Sequence, residues 1–150
     1  MRTIIQRVSE AAVHVDGHVT GRIAGGLLVL AGFEDADTER DLDWMARKLV
    51  GLRIFADETG NMNRSIVESS GDILAVSQFT LYASTRKGNR PSWGRAARGE
   101  ISQPLYDEFV RRLAAALGRP VATGIFGADM RISLINDGPV SLCIDSRNPD

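Results

Sequence analysis

The residues best placed to do chemistry lie in two short segments, Ser77-Gln78-Phe79-Thr80-Leu81 and Asn136-Asp137-Gly138-Pro139-Val140-Ser141. The first closes an apolar run, Ile73-Leu74-Ala75-Val76, that reads as a buried strand. Thr80 in it is a tempting nucleophile, but no base can be named to activate its hydroxyl, which favours a hydrogen-bonding or packing role. The second segment interrupts another strand-like run with a Gly-Pro pair. Glycine lets a backbone approach a ligand without a Cβ in the way, and proline is the residue at which a cis peptide bond is accessible. Gly138-Pro139 is thus a candidate rigid device for aiming carbonyl oxygens at a substrate, or an ordinary turn.

Other chemistries are poorly supplied. His14 and His18 are the only histidines and flank one hairpin turn, so with a single distant cysteine they make no recognisable zinc set. No metal and no cofactor is expected. There is no Gly-x-Ser-x-Gly elbow, no phosphate-binding glycine loop, and nothing to fold a histidine onto a hydroxyl. Cys143, the only cysteine, sits in an alternating run and reads as a packed residue. A net charge of −1 does not announce a nucleic-acid binder. One local patch does exist: Arg86, Lys87, Arg90, Arg95 and Arg98 surround Trp93 with no acidic residue between Thr85 and Gly99. It reads equally as a solvated loop or as a grip on an RNA backbone.

These segments need a scaffold, and 150 residues with 43% apolar and 25% charged side chains suit one soluble domain spanning 1–150. No apolar run approaches the ~20 residues of a membrane span, and the N-terminus turns polar too soon for a signal-peptide core. A cytoplasmic location and no membrane partner are expected. Residues 2–8 read as a strand, and Asp16-Gly17 marks a hairpin. Leu27 to Ala31 reads as a central strand buried on both faces. Thr38 and Asp41 form a variant capping box before a stripe of Leu42, Met45, Ala46, Leu49 and Val50. A second helix is predicted from about Ser102, with Pro104 in its first turn, to Gly118; its stripe is Leu105, Phe109, Leu113, Ala116 and Leu117. Strands are expected at 121–126, 130–136 and 140–144. The fold class is α+β: a largely antiparallel, curved or barrel-like sheet with two main helices packed against it.

The two segments together resemble the paired signatures of the D-aminoacyl-tRNA deacylases, Ser-Gln-Phe-Thr-Leu and Asn-x-Gly-Pro-Val-Thr. Only Ser141, where the family usually has Thr, departs from them, and it keeps the hydroxyl. Gln6-Arg7-Val8, Lys87-Gly88-Asn89-Arg90-Pro91 and Thr123 to Met130 agree as well, so the resemblance runs from Met1 to about Ser146. It implies that family's fold, a homodimer with a cross-subunit active site, and D-aminoacyl-tRNA as substrate. In the family the Gly-Pro pair is cis and enters the other subunit's active site, which assigns Gly138 and Pro139 to chirality. Arg7 matches a position that helps hold that element, and Met130 matches a pocket position. A surface arginine and a core methionine are the plainer meanings of those two residues.

For such a substrate, backbone N–H groups from Ser77 to Thr80 can form an oxyanion site, one donor being worth about 2.7–4 kcal/mol of barrier. Phe79 either stacks on the terminal adenine, at about 1–3 kcal/mol per base, or packs in the core. Ser77, Gln78, Phe79 and Thr80 are therefore assigned to the ester end. A rigid clash rejects an L isomer better than extra affinity for the D isomer does, and a glycyl ester should also fit. The expected activity is hydrolysis of D-aminoacyl-tRNA, and of glycyl-tRNA mischarged on a noncognate tRNA, as chiral proofreading in translation. Two rivals remain: a non-catalytic RNA-binding module built on the Arg86–Arg98 loop, and an editing deacylase acting on an L-amino acid such as L-alanine.

Overall fold

Alternating buried and exposed side chains carry the first strand well beyond Val8: β1 runs unbroken over Arg2–Val15 in the computed structural model, which describes residues 1–149. Asp16 and Gly17, both at positive φ, form the tight turn into β2, His18–Ile23. β3, Gly26–Gly32, is buried along nearly its whole length, as its apolar run predicts. Then follow α1 (Glu39–Gly51), the small hairpin β4 (Phe55–Ala56) and β5 (Met62–Arg64), and β6 (Asp72–Ser77). A single 3₁₀ turn, Phe79–Tyr82, leads to α2 (Gly99–Leu117), β7 (Ala122–Thr123) and β8 (Arg131–Asp145).

The sheet is mixed, adding a parallel group to the expected antiparallel pairing. β1 pairs antiparallel with β2, β3 and β8, whereas β3–β6 and β6–β7 are parallel. The cause lies in the connections: α1 falls between β3 and β6 and α2 between β6 and β7, and long crossovers containing a helix produce parallel neighbours. The sheet curls into a nearly closed barrel. β2 meets β7 so tightly that a Cβ on Gly21 would lie 2.3 Å from the Thr123 carbonyl oxygen.

Both helices cover this sheet. α1 begins with the predicted capping box, Thr38 with Asp41, and buries the predicted stripe. α2 starts at Gly99, earlier than expected, so Pro104 lies beyond the first turn. Its buried face is Ser102, Tyr106, Phe109, Leu113 and Leu117; Leu105 is half-buried, and Ala116 is exposed rather than packed. Phe33 joins α2 to the sheet through edge contacts with Tyr106 and Phe109, at centroid distances of 6.5 and 6.2 Å. Cys143 is exposed, contrary to the packed reading. Among the described residues β8 pairs only with β1, so its other edge is unpaired, and residues 135–139 and 141–143 are exposed. No helix is long and apolar enough to cross a membrane.

Candidate functional site

β3 and β6 lie side by side and parallel, with register from Gly26–Asp72 to Ala31–Ser77, so their carboxyl ends finish together. Crevices beyond the carboxyl ends of parallel strands are the usual ligand sites of such sheets. A cavity of about 410 Å³ opens there, lined by Ser77 at the end of β6, by Gln78 and Phe79 after it, by Ser102 of α2, and by Phe126 and Met130. Behind the lining, Tyr106 packs its ring against Phe126 at 5.8 Å and donates its hydroxyl to the Ala75 carbonyl at 3.0 Å. Burial, with a smaller push from Asp107, raises that phenol to about 12, so it stays a neutral donor.

The segment after Ser77 is a turn, not a continuing strand. Gln78 makes one further ladder bond, N–H to the Ala31 carbonyl at 2.7 Å. The chain then winds into the 3₁₀ turn, with Leu81 N–H donating to the Gln78 carbonyl at 3.3 Å and Ala83 N–H to Thr80 at 3.1 Å. The first residues of a helical turn have N–H groups with no acceptor inside it, so Phe79 and Thr80 supply the donors here. Gly32 permits this packing: a Cβ there would stand 2.8 Å from the Gln78 carbonyl oxygen.

Side-chain roles separate clearly. Phe79 is 55% exposed at the rim and is not a core residue. Its ring meets Trp93 edge-on, with centroids 5.4 Å apart. The Thr80 hydroxyl accepts from Gln78 Nε2 at 2.5 Å and does not line the cavity. Met130 is held by a notch at Gly124, where a Cβ would come within 2.4 Å of its sulfur. His14 and His18 sit at the β1–β2 hairpin, away from the cavity lining. Among the described residues no cluster of three or more His, Cys, Asp or Glu side chains could hold a metal ion.

Gly138 and Pro139 lie elsewhere in the chain. β8 leaves the β1 ladder at Asn136, opposite Val8, and rejoins it at Ser141, opposite Gln6. Arg7 alone therefore faces the four residues 137–140, of which 137–139 stand exposed as a prong while Val140 is buried at its base. The Gly138–Pro139 bond is cis. Arg7 Nε donates to the Asp137 carbonyl at 3.1 Å and pairs with its carboxylate at 2.9 Å. Arg7 also donates to the Gly138 carbonyl at 3.2 Å and to the Ile54 carbonyl. Asn136 Nδ2 closes the base, donating to Arg7 O at 3.0 Å and Val140 O at 3.2 Å.

Ser77, Gln78, Phe79 and Met130 thus meet at one cavity with Thr80 beside it, while Arg7, Gly138 and Pro139 form a separate outward-facing group. Gly32, Phe33, Ser102 and Phe126 also line the cavity and were not singled out from the sequence. Asn136 stands in the Asn-Asp-Gly-Pro segment, where a side-chain amide just before the Gly-Pro bulge is the sequence signal for its bridging role.

A family model described as D-Tyr-tRNA(Tyr) deacylase matches residues 4–145. The chain is 65% identical to a D-aminoacyl-tRNA deacylase of Dechloromonas aromatica (strain RCB) over 150 residues, the whole of both chains. It is 61% identical to one of Chromobacterium violaceum, again over the full length of both. Among solved structures, a "c-Myc DNA Unwinding Element Binding Protein" superposes with a TM-score of 0.90 at 36% identity, covering 97% of this chain and 98% of that one. A second, described as a probable eukaryotic D-amino acid tRNA deacylase, shares the fold with a TM-score of 0.81 at 21% identity, over 95% and 97% of the two chains.

Proposed function

This chain belongs to the D-Tyr-tRNA(Tyr) deacylase family and is a deacylase of that kind, and from that premise we propose that its cavity hydrolyses the ester of D-aminoacyl-tRNA while a Gly138-Pro139 prong from a second copy rejects L isomers. The observation that carries the reading is the cavity at the ends of β3 and β6, rimmed by Ser77, Gln78 and Phe79, in a chain matched from residue 4 to 145.

The terminal adenosine stacks on the exposed Phe79 ring, and the ester carbonyl lies against the N–H groups of Phe79 and Thr80. A water oxygen bonds to the carbonyl carbon while those amides hold the developing oxyanion. The ester C–O bond then breaks, the ribose oxygen takes one of the water's protons, the other passes to solvent, and the amino acid leaves as a carboxylate. No side chain has to act as nucleophile, which suits a Thr80 hydroxyl already engaged by Gln78. Holding ester and water together supplies the remainder of the acceleration.

Chirality requires a second copy, because the prong does not reach its own chain's cavity. The homodimer is supported by β8, which leaves Ile135 and Leu142 uncovered beside the exposed prong. Arg7 holds the Asp137 and Gly138 carbonyls in place and Asn136 holds the Val140 carbonyl behind them, as a handedness gauge requires. Glycine has no side chain to clash, so glycyl-tRNA is a second substrate. The reaction places the protein with tRNA in the cytoplasm.

A panel of charged tRNAs tests the reading against the L-alanine rival. Free amino acid should appear from D-tyrosyl-tRNA and glycyl-tRNA but not from L-alanyl-tRNA. Release of L-alanine with D-tyrosyl-tRNA untouched would install the rival.

A further inference from the structure

The reaction at the cavity leaves one conspicuous feature unused. Between the 3₁₀ turn and α2 the chain makes a hairpin, closed where Ser84 and Ser92 exchange N–H to carbonyl bonds of 2.9 and 3.0 Å. Residues 85–91 form its exposed tip, turned at Gly88 with φ +75°. The tip carries Arg86, Lys87 and Arg90 and no acidic residue. These three cations make no ion pair or hydrogen bond among the described residues. Arg95, at the root, behaves differently: it pairs with Glu34 at 3.2 Å and lies over the Tyr82 ring. The tip is therefore a concentrated, uncompensated positive charge on a protein of net charge −1.

Its root is fixed to the cavity rim on both sides. One limb leaves directly from the Phe79–Tyr82 turn. The other carries Trp93, whose ring meets Phe79, and Ala97, whose N–H donates to the Phe33 carbonyl at 2.9 Å. Four extended residues reach at most about 13–14 Å, so the tip cations stay within about a helical step or two of whatever chain leaves the cavity mouth. An unneutralised cation at that distance lowers the energy of a phosphate; a protein partner would have to supply carboxylates at matching spacing.

We propose that the 84–92 hairpin is the seat for the RNA strand leading into the cavity, with Arg86, Lys87 and Arg90 on successive phosphates and Trp93 against the sugar or base next to the one held by Phe79. The inference rests on the tRNA-ester reading of the cavity. Such contacts position the strand without reading sequence, which suits an enzyme that must accept many tRNAs.

The test compares wild type with an Arg86→Ala/Lys87→Ala/Arg90→Ala variant on two esters: D-tyrosyl-tRNA and 3′-O-D-tyrosyl-adenosine, which has the terminal nucleoside but no phosphates. On tRNA the variant should show a KM raised about tenfold or more at low salt with kcat unchanged. Three contacts at about 0.7 each should flatten its log(kcat/KM) against log[salt] slope by about 2. On the nucleoside ester the two proteins should be indistinguishable. Binding of uncharged tRNA, followed by fluorescence anisotropy, should weaken in parallel, and this readout stands even if no ester is hydrolysed. Unchanged KM, slope and tRNA binding would overturn the proposal and leave a solvated loop. Equal loss on both esters would also overturn it, showing that the hairpin acts on the cavity and not on the RNA. Failure of wild type on both esters, with tRNA binding still dependent on the three cations, would instead refute the hydrolytic reading alone.

Discussion

Gly32→Ala is the perturbation whose effect follows most directly from the packing around the ester site. The added Cβ would lie 2.8 Å from the Gln78 carbonyl oxygen and 3.1 Å from Leu81 Cβ, where an ordinary contact begins at 3.4 Å. The Gln78 carbonyl must therefore retreat by about 0.6 Å, and its bond from Leu81 N–H is already 3.3 Å long. That carbonyl and the Phe79 N–H belong to one planar peptide unit, so moving the oxygen tilts the amide proposed to hold the oxyanion. Losing one such donor costs about 2.7–4 kcal/mol of barrier, a fall in kcat of about 10²–10³. Overpacking should also lower stability by about 1–3 kcal/mol, or about 3–10 °C in Tm for a chain of this length. The assay is kcat and KM for D-tyrosyl-tRNA at a temperature where circular dichroism shows the variant folded. A large drop in kcat with little change in KM is expected. A folded variant with kcat within about threefold of wild type would refute the oxyanion assignment.

Three further outcomes are expected. Arg7→Ala removes the guanidinium that holds the Asp137 and Gly138 carbonyls; charge-assisted bonds of this kind are worth about 1.5–3 kcal/mol each, so D-tyrosyl-tRNA hydrolysis should fall sharply with the protein still folded, and full activity would show that the prong needs no such anchor. Thr80→Ala, together with His14→Ala and His18→Ala, should retain substantial turnover in a single-turnover assay; complete loss in a folded Thr80→Ala protein would restore the nucleophile. Glu108 is held at about 2 by hydrogen bonds from Arg111 and then Arg112, the latter tying α2 to Glu39 and Asp43 of α1. A depressed carboxylate stabilises fully above its unfolded value near 4.3, and that contribution is lost as pH falls toward 2. Thermal melts should therefore show Glu108→Gln less stable than wild type at pH 7, with the gap closing between pH 5 and pH 2.5.

Local signals carried far in this chain and long-range ones did not. Thr38, Asp41 and the Leu42–Val50 stripe are decided within two turns of helix, and Asp16-Gly17 within a single hairpin, so both were readable. The parallel pairing of β3 with β6 was not, because a run buried on both faces does not state the direction of its neighbour. Residues 131–145 looked like two strands because Gly138-Pro139 interrupts the apolar pattern. They are one strand with a bulge, since Arg7 and Asn136 bridge the gap from residues that the local pattern does not connect. Ser77, Gln78, Phe79 and Met130 share a cavity, whereas Gly32 carries no sequence signal, its importance lying in what packs beside it, and Ser102 signals only a helix start. Cys143 misled because its run alternates as a half-buried strand does, and only the sheet order places that strand at an edge.

The most direct measurement is release of free tyrosine from D-tyrosyl-tRNA and from L-tyrosyl-tRNA by the purified protein at substoichiometric concentration. The D ester should be consumed over many turnovers while the L ester decays only as fast as it does in buffer. Equal rates for the two esters, or no acceleration of either, would contradict the handedness gauge and the cavity chemistry behind it.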